Sequence, residues 1–333
     1  MPEDRRASYR AYDRVRRHEL EIVTRLLEEI LPEMPNPRGW SHQPHVGRPG
    51  PHRRGRPERF PWEPMAESVG LMHAMGWDYR QAEGNLWVAS DIRRRIGLEE
   101  APSRMTLWRA ERRFSEEWLR ELNEKVLAGL QTKERDPGGG VRALAADSTG
   151  LGEHARGEWF SFRFGRRLSV HQFRKLHVVS ECRGERRGLI RAWALTAPHA
   201  ADNPMLRSLL DRVEAPLGPV LGDAAYAGRR NVTYVAERGG EPFFPPKFRW
   251  TARSRGHPAW RRMILRYRHH PGVFHETYRF RANVERAFSA IQRHQGPFLR
   301  ARSAVMQRRE AGWRMIARNV DLLARARAAR EVL

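Results

Sequence analysis

Hydrophobic residues recur at helical spacing in the first third of the chain. From about Ser8 to Leu31, apolar residues return mostly every three or four positions, a period that predicts an amphipathic helix. From Met65 to about Gln131 the same period appears in shorter pieces, with one helix ending near Gly76. Asp78 and Ser103 are candidate N-caps for helices that follow. The N-terminal third is therefore predicted to be all-helical.

A segment that cannot form a continuous helix separates these two helical regions. Residues 34–64 are rich in Pro, Gly, Arg and His, and proline lacks the backbone donor that a helix interior needs. The segment is either a basic arm that lies along DNA or a plain solvated linker, and the sequence leaves both open. A glycine-rich break follows at 134–140. The predicted regions are an N-terminal helix at 1–33, the linker at 34–64, a helical region at 65–135 and a last domain at 141–333.

Short apolar runs bounded by turn residues replace the helical period beyond Val141. "VRALAAD" ends in Asp147 and "GPVLGDAAY" contains Asp223 at its end, as buried strands of an α/β sheet do. Between them, "FRKLHVVSE" and "LIRAWALTA" flank the turn "ECRGERRG" and predict a hairpin. A further short strand is predicted at "PFFPPK", and helices over "NPMLRSLLDRV" with Asn203 as N-cap, Arg229 to Glu237, "RANVERAFSAIQRH" and Val305 to Arg327. This order indicates a mixed α/β sheet flanked by helices.

Charge indicates the kind of partner. The chain has 62 Lys and Arg against 39 Asp and Glu, a net charge of +23. Such an excess favours a polyanion, and nucleic acid fits better than a membrane because the charge is spread along the chain. A plainer interpretation is a basic protein that binds nucleic acid loosely. We expect DNA as partner and no membrane association.

The basic third helix of the 65–135 region resembles part of a helix-turn-helix. In that interpretation Arg109, Arg112 and Arg113 would face DNA. Three small helices are also a common structural bundle, and the sequence leaves that alternative open. The single cysteine, Cys182, excludes a disulfide framework and a cysteine zinc site. With no apolar run of spanning length and no signal peptide pattern, we expect a cytoplasmic location.

Three carboxylates are candidates for a metal site. Asp147 and Asp223 end predicted strands, and Glu285 lies on a later helix. Strand ends at one edge of an α/β sheet are where such folds place their sites, and carboxylate oxygens are suitable ligands for Mg²⁺. Two such ions about 3.5–4 Å apart can activate a nucleophile and stabilise the leaving oxygen of a phosphodiester. The alternative is that the two aspartates only cap turns.

The helix that carries Glu285 has a polar face beside an apolar one. Four polar side chains fall close to one face, namely Tyr278, Arg281, Glu285 and Gln292. An arginine one turn before a carboxylate suits a metal site next to a phosphate backbone. Elsewhere, Lys175 and His177 alternate on one strand and so point to one face, either toward the site or as ordinary strand positions. Lys247 follows a double proline that could hold it for a phosphate contact, and the sequence leaves open whether it does.

The segment "YRFRANVERAFSAIQR" resembles the Tyr–Arg–Glu–Lys signature of bacterial and archaeal insertion-sequence transposases. Tyr278, Arg281 and Glu285 have the spacing of that signature, while Gln292 occupies its lysine position with Arg293 next to it. "ALAADSTG" and "VLGDAAYAG" resemble the two aspartate motifs of the same family, and "FRKLHVV" and "EPFFPPK" match it more weakly. The resemblance covers roughly residues 141–323.

This resemblance implies a ribonuclease H-like fold whose catalytic and metal-binding residues are Asp147, Asp223 and Glu285, with two Mg²⁺ or Mn²⁺ ions. It implies cleavage at the ends of a mobile element followed by strand transfer, and we expect a homodimer on DNA in a prokaryotic nucleoid. The residues expected to contact DNA are Tyr278, Arg281, Arg293, Lys175, Lys247, Arg109, Arg112 and Arg113. Two alternatives are a nuclease of the same fold that does not join strands and a domesticated DNA-binding derivative; the intact carboxylates argue against the latter.

Overall fold

The fold is given by a computed structural model that describes most of the chain. It describes residues 18–40, 59–130, 143–153, 173–184, 187–214, 216–247, 249–253 and 256–330. The start of the first predicted helix, most of the predicted linker and the break at 134–140 lie outside these ranges. The chain forms two compact units, one made of Met1–Gln131 with Gly312–Leu333 and the other of Thr132–Ala311.

Helices build the first unit. They are α1 Glu19–Ile30, α2 Trp62–Ala74, α3 Tyr79–Val88, α4 Ser90–Arg95, α5 Arg104–Glu111 and α6 Glu116–Gly129, with a 3₁₀ turn at Leu31–Glu33. Asp78 caps α3 in a reciprocal pair with Gln81, and the Ser103 hydroxyl accepts from the Thr106 N–H at the start of α5, so both predicted caps are confirmed. α2 begins at Trp62, slightly before the predicted start, because Pro64 is tolerated in the first turn.

The core of the first unit includes the end of the last helix, α12 Ala304–Arg330. Trp313 is buried, with its ring stacked 5.8 Å from His73 and edge-on to Phe114 at 5.7 Å. Asn319 donates to the Asn123 side chain at 2.7 Å, which pairs two buried polar groups. The sequence grouped this whole helix with the domain at 141–333, whereas its residues from Gly312 onward belong to the helical unit.

Among the described residues, a mixed sheet of six strands forms the second unit. Its strands are β1 Leu144–Glu153, β2 Phe173–Glu181, β3 Ile190–Thr196, β4 Pro219–Leu221, β5 Glu241–Phe243 and β6 Phe298–Leu299. The order is β3-β2-β1-β4-β5, with β6 also paired to β1. β1, β2 and β3 are antiparallel, while β4 and β6 run parallel to β1 and β5 runs parallel to β4. The predicted hairpin and mixed sheet are confirmed.

Helices flank this sheet. They are α7 Asp202–Leu210, α8 Arg229–Glu237, α9 Ala259–His269, α10 Pro271–Tyr278 and α11 Ala282–Gln295, with a 3₁₀ turn at Arg279–Arg281. Leu144 and Ala146 of β1 pack in one buried cluster with residues of α7, α8 and α9. The prediction that Asn203 caps α7 is wrong: the helix begins at Asp202, and the Asn203 amide instead donates to the carbonyl oxygens of Ala225 and Tyr226.

Candidate active site

The register of the parallel pair β1–β4 places the two predicted aspartates at the same distance from the last paired residues. Leu144 is paired with Val220 and Ala145 with Leu221, and Asp147 and Asp223 each follow that last pair by two residues. Asp147 does not end its strand as predicted, because β2 pairs with β1 as far as Gly152. On the other side, β4 ends at Leu221. Asp147 therefore lies where the edge of β1 is no longer covered, beside the loop that carries Asp223.

Glu285 approaches from the first turn of α11. Burial raises the pKa of Asp147 above its usual value, and the negative charges of Asp223 and Glu285 raise it further. The Ser148 N–H and the charge of Arg281 oppose this rise without cancelling it. Asp223 and Glu285 thus act on Asp147 through their charges, and these three side chains form the carboxylate cluster.

Arg281 lies between two of these carboxylates. One guanidinium nitrogen, Nη1, donates to Asp147 Oδ2 at 3.1 Å and to Glu285 Oε1 at 3.0 Å, and Nε donates to the Tyr278 hydroxyl at 3.2 Å. The predicted polar face is thus present, although a 3₁₀ turn interrupts the helix between Tyr278 and Glu285. Gln292 is the fourth residue of that predicted face, and its side-chain amide donates to the Thr149 hydroxyl of β1 at 3.4 Å. Both Asp147 and Thr149 point to the α11 side of the sheet.

The donor chemistry of this cluster fits a hard divalent cation, because all three side chains offer carboxylate oxygens. Each aspartate also makes a local bond: Asp147 Oδ1 accepts from the Ser148 N–H at 2.9 Å and Asp223 Oδ1 from the Ala225 N–H at 2.8 Å. Within the described ranges, no three His, Cys, Asp or Glu side chains lie close enough to hold a metal ion. A positive group, the Arg281 guanidinium, already bridges Asp147 and Glu285 in this conformation.

A comparison with protein families decides the class. The model of the transposase DDE domain matches residues 139–320, more than half of the chain, and this span contains the whole carboxylate cluster. The chain belongs to this transposase family. No curated protein matches it. None of the helices in the described ranges is long and apolar enough to cross a membrane.

The remaining residues expected to contact DNA lie in four other places on the transposase. Lys175 is on the opposite sheet face from Asp147, where its ammonium donates to Asp202 at 2.7 Å and to the Ala200 carbonyl oxygen at 3.2 Å. Lys247 is exposed in the loop after β5, 5.8 Å from the Trp250 ring. Arg293 is exposed on α11 and bonds the Ser289 carbonyl oxygen of its own helix.

The three arginines of the first unit belong to α5 and the residues directly after it. Arg109 and Arg112 are exposed, and Arg112 lies 4.7 Å from the Trp108 ring. Arg113 is half-buried and donates to the Gly39 carbonyl oxygen at 2.6 Å. A DNA contact for each of these residues stays a prediction, and the exposed pair is better placed for one than Arg113.

Sequence reasoning missed three residues around the transposase site, namely Ser148, Asp202 and Tyr226. Burial raises the pKa of Tyr226, and the charges of Asp202, Asp147 and Asp223 act on it in the same direction. The position of Tyr226 three residues after Asp223 was a weak signal in the sequence. No sequence feature indicated a role for Asp202, because this residue is connected to the site only through tertiary contacts with strands of the sheet.

Proposed function

We propose that this protein is an active DNA transposase that cuts the ends of a mobile element and joins them to target DNA. The observation that carries the proposal is the pair of contacts that joins Asp147 and Glu285 through Arg281, with the charge of Asp223 also acting on Asp147, within the matched DDE domain. A derivative that only binds DNA would have no need to keep three mutually repelling carboxylates together.

Each residue of the cluster has a proposed role. Asp147, Asp223 and Glu285 would hold Mg²⁺ or Mn²⁺, and two such ions supply activation of the attacking oxygen and stabilisation of the leaving oxygen. Arg281 would pass from its carboxylate partners to a DNA phosphate, for which its planar fork is suited. Tyr278 would keep that guanidinium oriented through its hydroxyl.

DNA would be bound over a broad basic surface. The net charge of +23 supplies a sequence-independent attraction that weakens with salt. The exposed arginines of α5 in the first unit are the proposed contact to the element ends, in the manner of a helix-turn-helix. We further propose that the transposase acts as a homodimer in the nucleoid, which the mass of its complex with end DNA in light scattering would test.

The test is cleavage of a labelled duplex that carries the end of the element. Wild-type protein should cleave it with Mg²⁺, and Asp147→Ala, Asp223→Ala and Glu285→Ala should abolish cleavage while the gel shift is retained. Asp211→Asn, at the C-terminal end of α7 and bonded to Tyr234, is the matched control and should cleave normally. An alanine variant that cleaves at the wild-type rate would remove that residue from the proposed triad. Cleavage without joined products, when target DNA is supplied, would favour a nuclease of the same fold.

A further inference from the structure

A buried polar cluster lies on the face of the sheet opposite to the carboxylate triad. Asp202, the first residue of α7, is largely buried, and its Oδ2 accepts from Lys175 Nζ at 2.7 Å. Its Oδ1 lies 3.2 Å from Nδ1 of His177, which is fully buried. Burial raises the pKa of Asp202, but the Lys175 hydrogen bond, the nearby Ser148 hydroxyl and the positive charge of Lys175 hold it below its usual value. Asp202 is therefore a charged centre paired with β2, and its neighbour on β1 is Ser148.

The partner on β1 is directly next to Asp147. Successive side chains of a strand point to opposite faces, so Ser148 faces α7 while Asp147 and Thr149 face α11. Ser148 also lies opposite His177 in the β1–β2 register. Asp202, which contacts His177, therefore lies behind β1 on the face of Ser148, one residue away from Asp147.

The next residue of α7 holds the loop that carries the second aspartate. Asn203 donates from Nδ2 to the carbonyl oxygens of Ala225 at 3.3 Å and Tyr226 at 3.2 Å. Gly228 leaves room for this amide, since a Cβ at that position would lie 2.8 Å from Asn203 Nδ2. The loop is closed on the other side by Asp223, whose Oδ1 accepts from the Ala225 N–H. Asn203 is therefore two short contacts away from the Asp223 carboxylate.

Two consecutive residues at the start of α7 thus reach both aspartate-bearing segments. β4 ends at Leu221, so β1 and the Asp223 loop are no longer joined by strand hydrogen bonds at the level of the two aspartates. We propose that Asp202 and Asn203 are positioning residues that set the separation of Asp147 and Asp223, and thereby the affinity of this pair for a divalent cation. The inference rests on the proposed function, because it assumes that the two aspartates share a metal ion.

The consequence is a loss of metal affinity without loss of either ligand. Removing a group that orients metal ligands commonly costs on the order of 10–100-fold in affinity. We expect Asp202→Asn to weaken Mn²⁺ binding by roughly tenfold, because the amide retains the shape of the side chain but not the charge that holds Lys175 behind the site. Asn203→Ala should weaken it similarly through the other segment.

The experiment measures Mn²⁺ binding to the full chain by titration followed with electron paramagnetic resonance, together with single-turnover cleavage. Asp211→Asn is the matched control, since it makes the same chemical change at the other end of α7. Ser148→Ala removes only the β1 hydroxyl that faces Asp202 and keeps the N–H that bonds Asp147. It should reproduce the loss seen in Asp202→Asn, and the double variant should be no worse than Asp202→Asn alone, because both changes break one chain of contacts.

The outcomes separate the inference from the function on which it rests. Weaker Mn²⁺ binding and slower cleavage in Asp202→Asn and Ser148→Ala, with gel shifts as in wild type, support the positioning role. Wild-type Mn²⁺ affinity in folded Asp202→Asn or, if that variant does not fold, in Ser148→Ala would overturn it, even where the midpoint of thermal unfolding has dropped. If Asp147→Ala binds Mn²⁺ as well as wild type does, the proposed metal site itself is wrong, and the inference is overturned with it.

Discussion

Replacement of Arg281 by lysine separates two roles of the guanidinium at the centre of the site. In the structure, Arg281 Nη1 donates hydrogen bonds to Asp147 and Glu285, and Nε donates one to the Tyr278 hydroxyl. Lysine keeps the positive charge, but its single ammonium cannot donate from two separate nitrogens of a planar fork. We expect it to stay with the carboxylates and to leave the Tyr278 hydroxyl without its donor.

The expected magnitude follows from the exposure of each contact. The Asp147 pair is largely buried, with side chains 20% and 17% exposed, so a hydrogen bond weakened there costs about 1.5–3 kcal/mol. The Glu285 carboxylate is 58% exposed, and its pair contributes about 0–1 kcal/mol after screening. Stability should therefore fall by about 1–3 kcal/mol. If Arg281 also positions a phosphate, a displacement of about 1 Å should slow cleavage on the order of a hundredfold.

Single-turnover cleavage of an end-bearing duplex with Mg²⁺, a gel shift and a thermal melt measure these effects together. We expect Arg281→Lys to bind DNA nearly as the wild type does and to cleave far more slowly. Arg286→Lys is the control, since Arg286 lies on the same helix, bonds Asn283 and stands outside the cluster. Near wild-type cleavage by Arg281→Lys would refute the phosphate contact and leave Arg281 as a counter-ion of Asp147 and Glu285 only.

Three further predictions concern stability and DNA binding. Burial and the neighbouring glutamates raise the pKa of Glu67 from 4.5 to about 8, so folding takes up a proton and the free energy of unfolding falls as pH rises from 4.5 to 8. Glu67→Gln should remove on the order of 5 kcal/mol of that fall. Equal pH dependence of the wild type and the variant in denaturant titrations would contradict this prediction. Gly152→Ala should cost about 1–3 kcal/mol in a thermal melt, because its Cβ would lie 2.3 Å from the Phe298 ring, and an unchanged midpoint would show that the ring moves freely. Arg109→Ala with Arg112→Ala, in the full chain, should weaken end binding and reduce the salt slope by about 1–2, whereas an unchanged slope would place the DNA elsewhere.

The structure also determines how DNA binding by the helical unit should be tested. A fragment that ends near residue 135 would follow from the sequence boundaries, but it would lack Trp313 and Asn319. These two side chains pack in the core of the first unit against Phe114 and pair with Asn123. Such a fragment would expose apolar surface that the whole chain buries. Substitutions in the full chain are therefore the sounder test.

Local sequence signals predicted the elements well. Apolar spacing and side-chain caps act within one or two helical turns, so Asp78 and Ser103 marked the starts of α3 and α5 correctly. The hairpin β2–β3 followed from two apolar runs around a turn. The spacing of Tyr278, Arg281 and Glu285 on one helical face, together with the two aspartate motifs, was also sufficient to indicate the transposase family.

Long-range contacts decided what the sequence left open. The sequence separation of Asp147 and Asp223 could be interpreted only through the β1–β4 register, which pairs Ala145 with Leu221, two residues before each aspartate. Asn203 has the residue type of a cap, yet its amide bonds a loop that follows a later strand, and Asp202 is paired with residues of β2. A periodic pattern records only which face of an element is buried. Strand pairing and packing decide which side chains of distant segments come into contact. For this reason the proposed positioning residues behind the site emerged from the tertiary structure alone.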